Sequence, residues 1–138
     1  MTHVLEIAAV CFLDSDGALL TVRKRATRAF MLPGGKIEPT ESPRAAAVRE
    51  VAEELSVVCD SSRLELLGRW RADAANESDT TLDAHVFLFT ARIAPVASAE
   101  IEEIRWVSLD ASASGVRLAP LLVDRVIPAL RTEYERLV

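Results

Sequence analysis

The chain has 138 residues, and its 21 acidic residues outnumber its 16 lysines and arginines, giving a net charge of −5. This length corresponds to one domain over residues 1–138, and a hydrophobic share of 50% excludes a disordered chain. The acidity excludes binding of a nucleic-acid polymer through bulk charge, because a phosphate backbone demands a basic surface. No apolar run is long enough to span a bilayer, and no basic segment of a signal peptide opens the chain. We therefore expect a cytoplasmic protein with no membrane partner.

The first half of the chain predicts a β-hairpin, a break and a helix. Residues 4–13 are apolar and β-branched, the turn cluster at 14–17 follows, and residues 18–25 predict the returning strand. Pro33-Gly34-Gly35 is expected to interrupt regular structure. Ser42-Pro43 is a helix start signal, with serine as N-cap and proline in the first turn, and the helix should run to about Leu55.

The second half predicts three strands and a closing helix. Strands are expected at 64–70, at 83–93 and at 104–108, with a polar loop over 73–80. The strand at 83–93 is nearly all apolar and should lie in the interior of the sheet. A helical period runs over 118–137, and Pro128 should kink or divide that helix. The predicted class is therefore α/β or α+β with a mixed β-sheet.

The helix at 42–55 has two distinct faces. At about 100° per residue, one face is predicted to be buried and the opposite face to be acidic. The buried positions would be Val48, Val51, Ala52 and Leu55, and the acidic ones Glu50, Glu53 and Glu54.

The three glutamates lack an obvious counter-charge. Carboxylates about 6 Å apart repel by roughly 3 kcal/mol at an effective dielectric near 20. No lysine or arginine stands four positions after Glu50 or Glu53 to relieve this repulsion, and Arg49 lies to one side. Clustered hard oxygen ligands favour a divalent cation, Mg²⁺ or Mn²⁺. A solvated acidic surface is the alternative for an arbitrary helix of this kind.

The spacing around this helix is more specific than the helix alone. Gly35, five residues, Glu41, seven residues and then the run from Arg49 to Val57 closely resemble the Nudix box, G-x5-E-x7-R-E-U-x-E-E-x-G-U. The six charged or glycine matches would occur by chance on the order of 10⁻⁷ times per window. Ser56 stands where the box has its second glycine, and a left-handed helix end costs a non-glycine residue roughly 1–2 kcal/mol.

The resemblance implies a fold and an activity. Nudix proteins share an α/β/α sandwich in which the box forms a loop–helix–loop, and they hydrolyse nucleoside diphosphates linked to another group. Carried onto this chain, Glu50, Glu53 and Glu54 are the implied metal ligands, joined by a carbonyl of Gly34 or Gly35. Arg49 would orient the glutamates and Glu41 would pair with Arg49. Glu53 is the implied base for a metal-bound water.

Charged residues outside the box complete the expected site. The acidic segment at 100–103 precedes a predicted strand that bears Trp106, and within it Glu100 best fits an additional metal ligand, with Glu103 second. Arg23, Arg25 and Lys36 are candidates for binding substrate phosphates. A solvated loop and the charges of an edge strand are the alternatives for these two groups.

The substrate is less specified than the reaction. Phe30, Trp70 and His85 are candidates for stacking on a base, although core packing is the more frequent role of such residues. The approach to the box resembles MutT-like pyrophosphohydrolases, but residues 118–124 lack the asparagine with which some of these read 8-oxoguanine. The expected partner is a small nucleotide or another diphosphate, and a homodimer is left open. The other functions considered are a catalytically silent nucleotide-binding Nudix domain and an acidic docking domain.

Overall fold

The computed structural model describes residues 3–110 and 115–137; residues 1–2, 111–114 and 138 of the expected domain lie outside the described residues. It contains six strands, β1 to β6 in chain order, and two α-helices, α1 and α2. The strands are His3–Cys11, Leu19–Lys24, Gly34–Lys36, Leu64–Asp73, Thr80–Phe89 and Ile101–Val107. The helices are Pro43–Leu55 and Ile127–Leu137, with a 3₁₀ turn at Ser61–Arg63 and a π-helical turn at Leu122–Val126.

Four strands form a mixed sheet in the order β3-β1-β5-β4. Strand β1 runs parallel to β5 along its whole length and antiparallel to β3, and β4 runs antiparallel to β5. The mixed sheet and the interior place of the apolar strand are as predicted. Strands β2 and β6 form a separate antiparallel pair.

The predicted hairpin between the first two strands is present only next to its turn, and the predicted pairing of β1 with β2 is wrong. The turn at 14–17 is present, since Oδ1 of Asp14 accepts hydrogen bonds from the amides of Asp16 and Ala18. However, both edges of β1 are already occupied, by β3 and by β5. Contact with β2 is therefore limited to the residues just beyond β1, where Leu13 bridges Leu19, and β2 pairs with β6 instead.

Several predicted boundaries also need correction. Gly34 and Gly35 do not interrupt regular structure, because they belong to β3, where Gly35 pairs with Ala8. A Cβ on Gly34 would lie 2.2 Å from the Ala8 carbonyl oxygen, so this strand pairing requires a residue without a side chain. Strand β5 begins at Thr80 and ends at Phe89, earlier at both ends than predicted, and β4 and β6 are longer than predicted.

The four-stranded sheet is covered by helices on both faces, as an α/β/α sandwich requires. Helix α1 packs its Val51 and Leu55 against Val10 and Phe87 in one core. The C-terminal helical segment packs against the other face in a second core. That second core includes Ala9, Cys11, Ala84, Val86, Leu121, Leu122, Val126, Ile127 and Leu130.

Helix α1 begins as its sequence predicts. Ser42 is the N-cap, its hydroxyl accepts a hydrogen bond of 3.1 Å from the Ala45 amide, and Pro43 occupies the first turn. The helix ends on Ser56, which adopts the left-handed conformation with φ 55° and ψ 37°. Ser56 therefore accepts the strain that a glycine would avoid.

The predicted faces of α1 are partly wrong. Ala52 is exposed, whereas Glu54 is buried together with Ala47. Residues seven apart share a helix face, so the buried Ala47 carries Glu54 inward with it. The acidic face consequently divides into one buried carboxylate and two that are more accessible.

The C-terminal segment is divided as expected near Pro128. The π-helical turn Leu122–Val126 directly precedes α2, in which Pro128 is the second residue. Proline lacks the N–H that would continue the preceding hydrogen-bond ladder, which accounts for an irregular turn at this point.

Candidate active site

A cavity of about 560 Å³ lies between the sheet, the N-terminal side of the closing helix and the box residues. Both charged and apolar side chains line it. Six of the charged lining residues are termed the charged end: Glu50, Glu53, Glu54, Glu100, Lys24 and Lys36, with Gly34 and Gly35 in contact with Glu54 and Glu50. The apolar side chains of the lining include Leu5, Ile7, Met31, Leu82, Leu121 and Leu122. A cavity of this kind can hold a charged group and an attached less polar group at once.

Glu54 is the buried member of the acidic group, with 5% of its surface exposed. Its Oε1 accepts a hydrogen bond of 2.9 Å from the backbone N–H of Gly34. Burial raises the pKa of Glu54 to about 7, because the charged form loses hydration, and the Gly34 hydrogen bond and Lys24 offset only part of that effect. A cation beside this carboxylate would favour its charged form.

Arg49 connects the loop before α1 to the glutamates. Its Nε and one terminal nitrogen each lie 2.8 Å from an oxygen of Glu41, which is the bidentate geometry of a strong pair. The other terminal nitrogen lies 2.8 Å from Glu50, and Arg49 also donates to the Lys36 carbonyl. The paired guanidinium lowers the pKa of Glu41 to about 2. The structure thus brings Arg49 and Glu41 together as the box resemblance implied.

The glutamates do have a counter-charge, contrary to the expectation from sequence. Arg49 lies 4.0 Å from Glu53, an i,i+4 pair in which the arginine comes first, and it also pairs with Glu50. Within the part of the chain that the structure describes, no three His, Cys, Asp or Glu side chains are grouped closely enough to hold a metal ion. Glu50 faces Arg49 and Glu54 faces Gly34, so both carboxylates are held by internal partners.

Gly35 makes room for Glu50. A Cβ on Gly35 would lie 2.4 Å from the Glu50 carboxyl carbon, closer than real atoms approach. The absence of a side chain at this position therefore admits the carboxylate to the charged end of the cavity.

Glu100 reaches the cavity from the loop before β6. Its carboxylate lies 3.9 Å from Nζ of Lys24, and both residues line the charged end. Lys24 was not singled out from the sequence, although it stands between Arg23 and Arg25. Successive side chains of a strand point to opposite faces, and this alternation could have separated Lys24 from its neighbours.

Arg23 and Arg25 make their contacts elsewhere. Arg23 donates to the Thr27 carbonyl and pairs with Glu103 at 3.4 Å. Arg25 donates to the Ala99 carbonyl. Of the charged residues expected to meet phosphate, the structure places Lys36 on the cavity and keeps these two arginines off its lining. Glu103 is likewise held by Arg23 and Arg105.

The aromatic candidates for base stacking also lie off the cavity lining. Phe30 is buried beneath the guanidinium groups of Arg23 and Arg105. The ring of Trp70 lies over Gly68, and Nε2 of His85 lies 3.0 Å from Glu6. What sequence reasoning missed is the loop before β5, which contributes residues 74–77 to the cavity. The sequence predicts a polar loop here, but a polar composition alone is equally typical of a solvated turn.

The sequence matches the model of the family described as "NUDIX domain" over residues 3–125. The chain belongs to the Nudix family. The fold is similar to that of the MutT protein from Methanosarcina mazei Go1, with a TM-score of 0.77 and 21% identity over 97% of each chain. It is also similar to the MutT Nudix hydrolase from Burkholderia pseudomallei, with a TM-score of 0.68 and 24% identity, covering 94% of this chain and 97% of that one.

A curated relative matches over a shorter stretch. The mouse (Mus musculus) diphosphoinositol polyphosphate phosphohydrolase 3-alpha is 42% identical over 59 residues. This match covers 41% of the present chain and 36% of that relative. The chain thus matches about a third of the length of that relative.

Across residues 3–110 and 115–137, none of the helices combines the length and the apolar character needed to cross a bilayer.

Proposed function

We propose that this protein is a divalent-cation-dependent hydrolase that cleaves a diphosphate bond by attack of water at phosphorus. The observation that carries the proposal is that Glu50, Glu53, Glu54 and Glu100 line one cavity, together with Lys24 and Lys36. The substrate would be a nucleoside triphosphate or a nucleoside diphosphate linked to another group. Membership of the Nudix family supports this assignment.

The donor chemistry fits Mg²⁺ or Mn²⁺. Carboxylate and carbonyl oxygens are the ligands that these hard cations prefer, and four carboxylates line this cavity. To hold one cation together, Glu50 and Glu54 would turn from their present partners, Arg49 and Gly34. Glu50, Glu53, Glu54 and Glu100 would hold the cation, with a carbonyl of Gly34 or Gly35. A bound cation would neutralise phosphate oxygens and lower the pKa of a coordinated water.

Side chains of the protein take the proton from water, orient the metal ligands and bind the substrate phosphates. Glu53 is the most accessible box glutamate, with 58% of its side chain exposed, and we assign it the role of base that takes the proton from water. Arg49 orients Glu50 through the 2.8 Å contact and is itself fixed by Glu41. Lys24 and Lys36 bind the phosphate oxygens of the substrate.

The apolar lining of the cavity accommodates the group attached to the phosphates. Leucine, isoleucine and methionine side chains cover most of it, and the described residues that line the cavity include no aromatic side chain. A base would therefore be held between aliphatic surfaces rather than by ring stacking. Asn76 and Glu77, in the loop before β5, are polar residues that also line the cavity.

A turnover panel tests the proposal. Phosphate and pyrophosphate release would be measured with nucleoside triphosphates, sugar nucleotides, ADP-ribose, dinucleoside polyphosphates and diphosphoinositol polyphosphates, with and without Mg²⁺ or Mn²⁺. The expected result is turnover of at least one substrate that chelation of the cation abolishes. Tight nucleotide binding with no cation-stimulated turnover across the panel would instead indicate a silent binding domain.

A further inference from the structure

The segment that leads to Glu100 is attached to the C-terminal end of α1. The backbone N–H of Val96 donates to the Leu55 carbonyl at 2.9 Å, and that of Ser98 donates to the Glu54 carbonyl at 2.9 Å. The last carbonyls of a helix have no partner within the helix, and here two of them are satisfied by this one segment. The loop before β6 and the box helix therefore form one hydrogen-bonded unit.

A side-chain contact joins the same two elements. Oγ of Ser56 lies 2.7 Å from Oγ of Ser98, and Ser98 in turn donates to the Val96 carbonyl at 3.1 Å. Ser56 occupies the left-handed position where the Nudix box has glycine, with φ 55°. Glycine would relieve the strain there, but it would remove the hydroxyl that reaches Ser98.

The loop fixes the backbone of Glu100 two residues after Ser98. The Glu100 carbonyl accepts a hydrogen bond of 2.9 Å from the Arg25 amide, and the Ala99 carbonyl accepts one from the Arg25 side chain. Ala99 itself has a positive φ of 54°, so the chain turns sharply between Ser98 and Glu100. The position of the Glu100 carboxylate thus depends on where Ser98 is held.

We propose that Ser56 is a positioning residue whose hydroxyl, through Ser98, holds Glu100 against the box glutamates at the cation site. This inference rests on the proposed function, because it takes Glu100 as a metal ligand. On this account the left-handed Ser56 lowers the stability of the helix end, while its hydroxyl contributes to the cation site through the contact with Ser98. These two effects are separate and can be measured separately.

The test compares Mn²⁺ binding by titration calorimetry in metal-free wild type with that of Ser56→Ala, Ser98→Ala, the double variant and Ser98→Thr. Each alanine variant should weaken Mn²⁺ binding about fivefold to tenfold. The double variant should be no weaker than Ser98→Ala alone, because Ser98→Ala already removes the contact with Ser56. Ser98→Thr keeps a hydroxyl and should therefore retain most of the wild-type affinity for Mn²⁺. Ser15→Ala, an exposed serine in the turn at residues 14–17, is the matched control.

Two further variants separate positioning from stability. Ser56→Gly should raise the melting temperature by about 3 °C, since the helix end is relieved, while Mn²⁺ binding still weakens. In a Glu100→Gln background, Ser56→Ala should change Mn²⁺ affinity by less than twofold. Hydrogen exchange of the Ser98 amide in metal-free protein should be faster in Ser56→Ala than in wild type.

The outcomes discriminate between the two proposals. If wild type binds Mn²⁺ and both alanine variants bind it within twofold of wild type, the positioning role is wrong and the hydrolase assignment is untouched. Additive effects of Ser56→Ala and Glu100→Gln would also overturn the positioning role. If wild type binds Mn²⁺ but turns over no substrate, the proposed function fails while the positioning role is retained. Wild type that binds no Mn²⁺ would contradict both.

Discussion

The backbone N–H of Gly34 donates a 2.9 Å hydrogen bond to the carboxylate of Glu54. This contact joins strand β3 to helix α1, and both residues line the cavity. The Glu54 carboxylate is buried and has lost its hydration, and this burial should affect the stability of the protein measurably.

The free energy of unfolding of metal-free protein should depend on the ionisation of Glu54. Its pKa is raised from 4.5 to about 7 in the folded state. The folded state therefore binds this proton more tightly than the unfolded state does. Stability from the neutral carboxyl is fully present below pH 4.5 and is lost as the pH rises to about 7. The loss should be as much as about 3 kcal/mol, measured by urea unfolding in a chelating buffer.

Glu54→Gln is the matched variant for this experiment. A glutamine carbonyl still accepts the hydrogen bond from Gly34 but does not ionise. The free energy of unfolding of Glu54→Gln should therefore lose little of the roughly 3 kcal/mol that wild type loses between pH 4.5 and about 7. Saturating Mg²⁺ should reduce this loss in wild type as well. Identical pH profiles for wild type and Glu54→Gln would show that Glu54 titrates normally.

The two glycines of β3 should respond differently to alanine. In Gly35→Ala the new Cβ would lie 2.4 Å from the Glu50 carboxyl carbon. The flexible Glu50 side chain can move away from this contact. Turnover should fall about tenfold or more while the melting temperature changes by only a few degrees. In Gly34→Ala the Cβ meets the Ala8 backbone, so unfolding should become easier by about 2–3 kcal/mol. Equal effects of the two variants on stability would contradict this distinction.

Lys24 should contribute to substrate binding through its place on the cavity lining. Lys24→Gln removes a cation from the charged end of the cavity, and KM should rise about tenfold with a smaller change in kcat. Steady-state kinetics on the best substrate of the panel measures this. Arg92→Gln, at an exposed position after β5, is the control and should leave KM unchanged. An unchanged KM in Lys24→Gln would assign phosphate binding to other residues.

Local features of the fold could be predicted from the sequence because short-range physics sets them. Ser42 and Pro43 mark the start of α1, and the box spacing brings Arg49 to Glu41. The pairing of β2 could not be predicted in this way. It depends on which strands occupy the edges of β1, and the β1 and β5 partners lie 77 residues apart, as for Ala9 and Val86.

The candidate site shows the same division. The box indicates which glutamates belong together, and Glu100 was identified from its position before the strand that bears Trp106. The burial of Glu54 was missed because it depends on β3 packing beside α1, which periodicity alone does not specify. The contact between Ser56 and Ser98 joins residues 42 positions apart, so no local pattern indicates it.

The central claim is tested most directly by cation-dependent turnover in Glu53→Gln, with Glu65→Gln, an exposed residue of β4, as control. Both variants remove one charge from an exposed glutamate, so a general effect of charge on the protein would appear in both. We predict that Glu53→Gln loses at least a hundredfold in kcat at saturating Mg²⁺ with an unchanged circular dichroism spectrum, while Glu65→Gln keeps wild-type turnover. Wild-type turnover in Glu53→Gln, or equal losses in the two variants, would contradict the account.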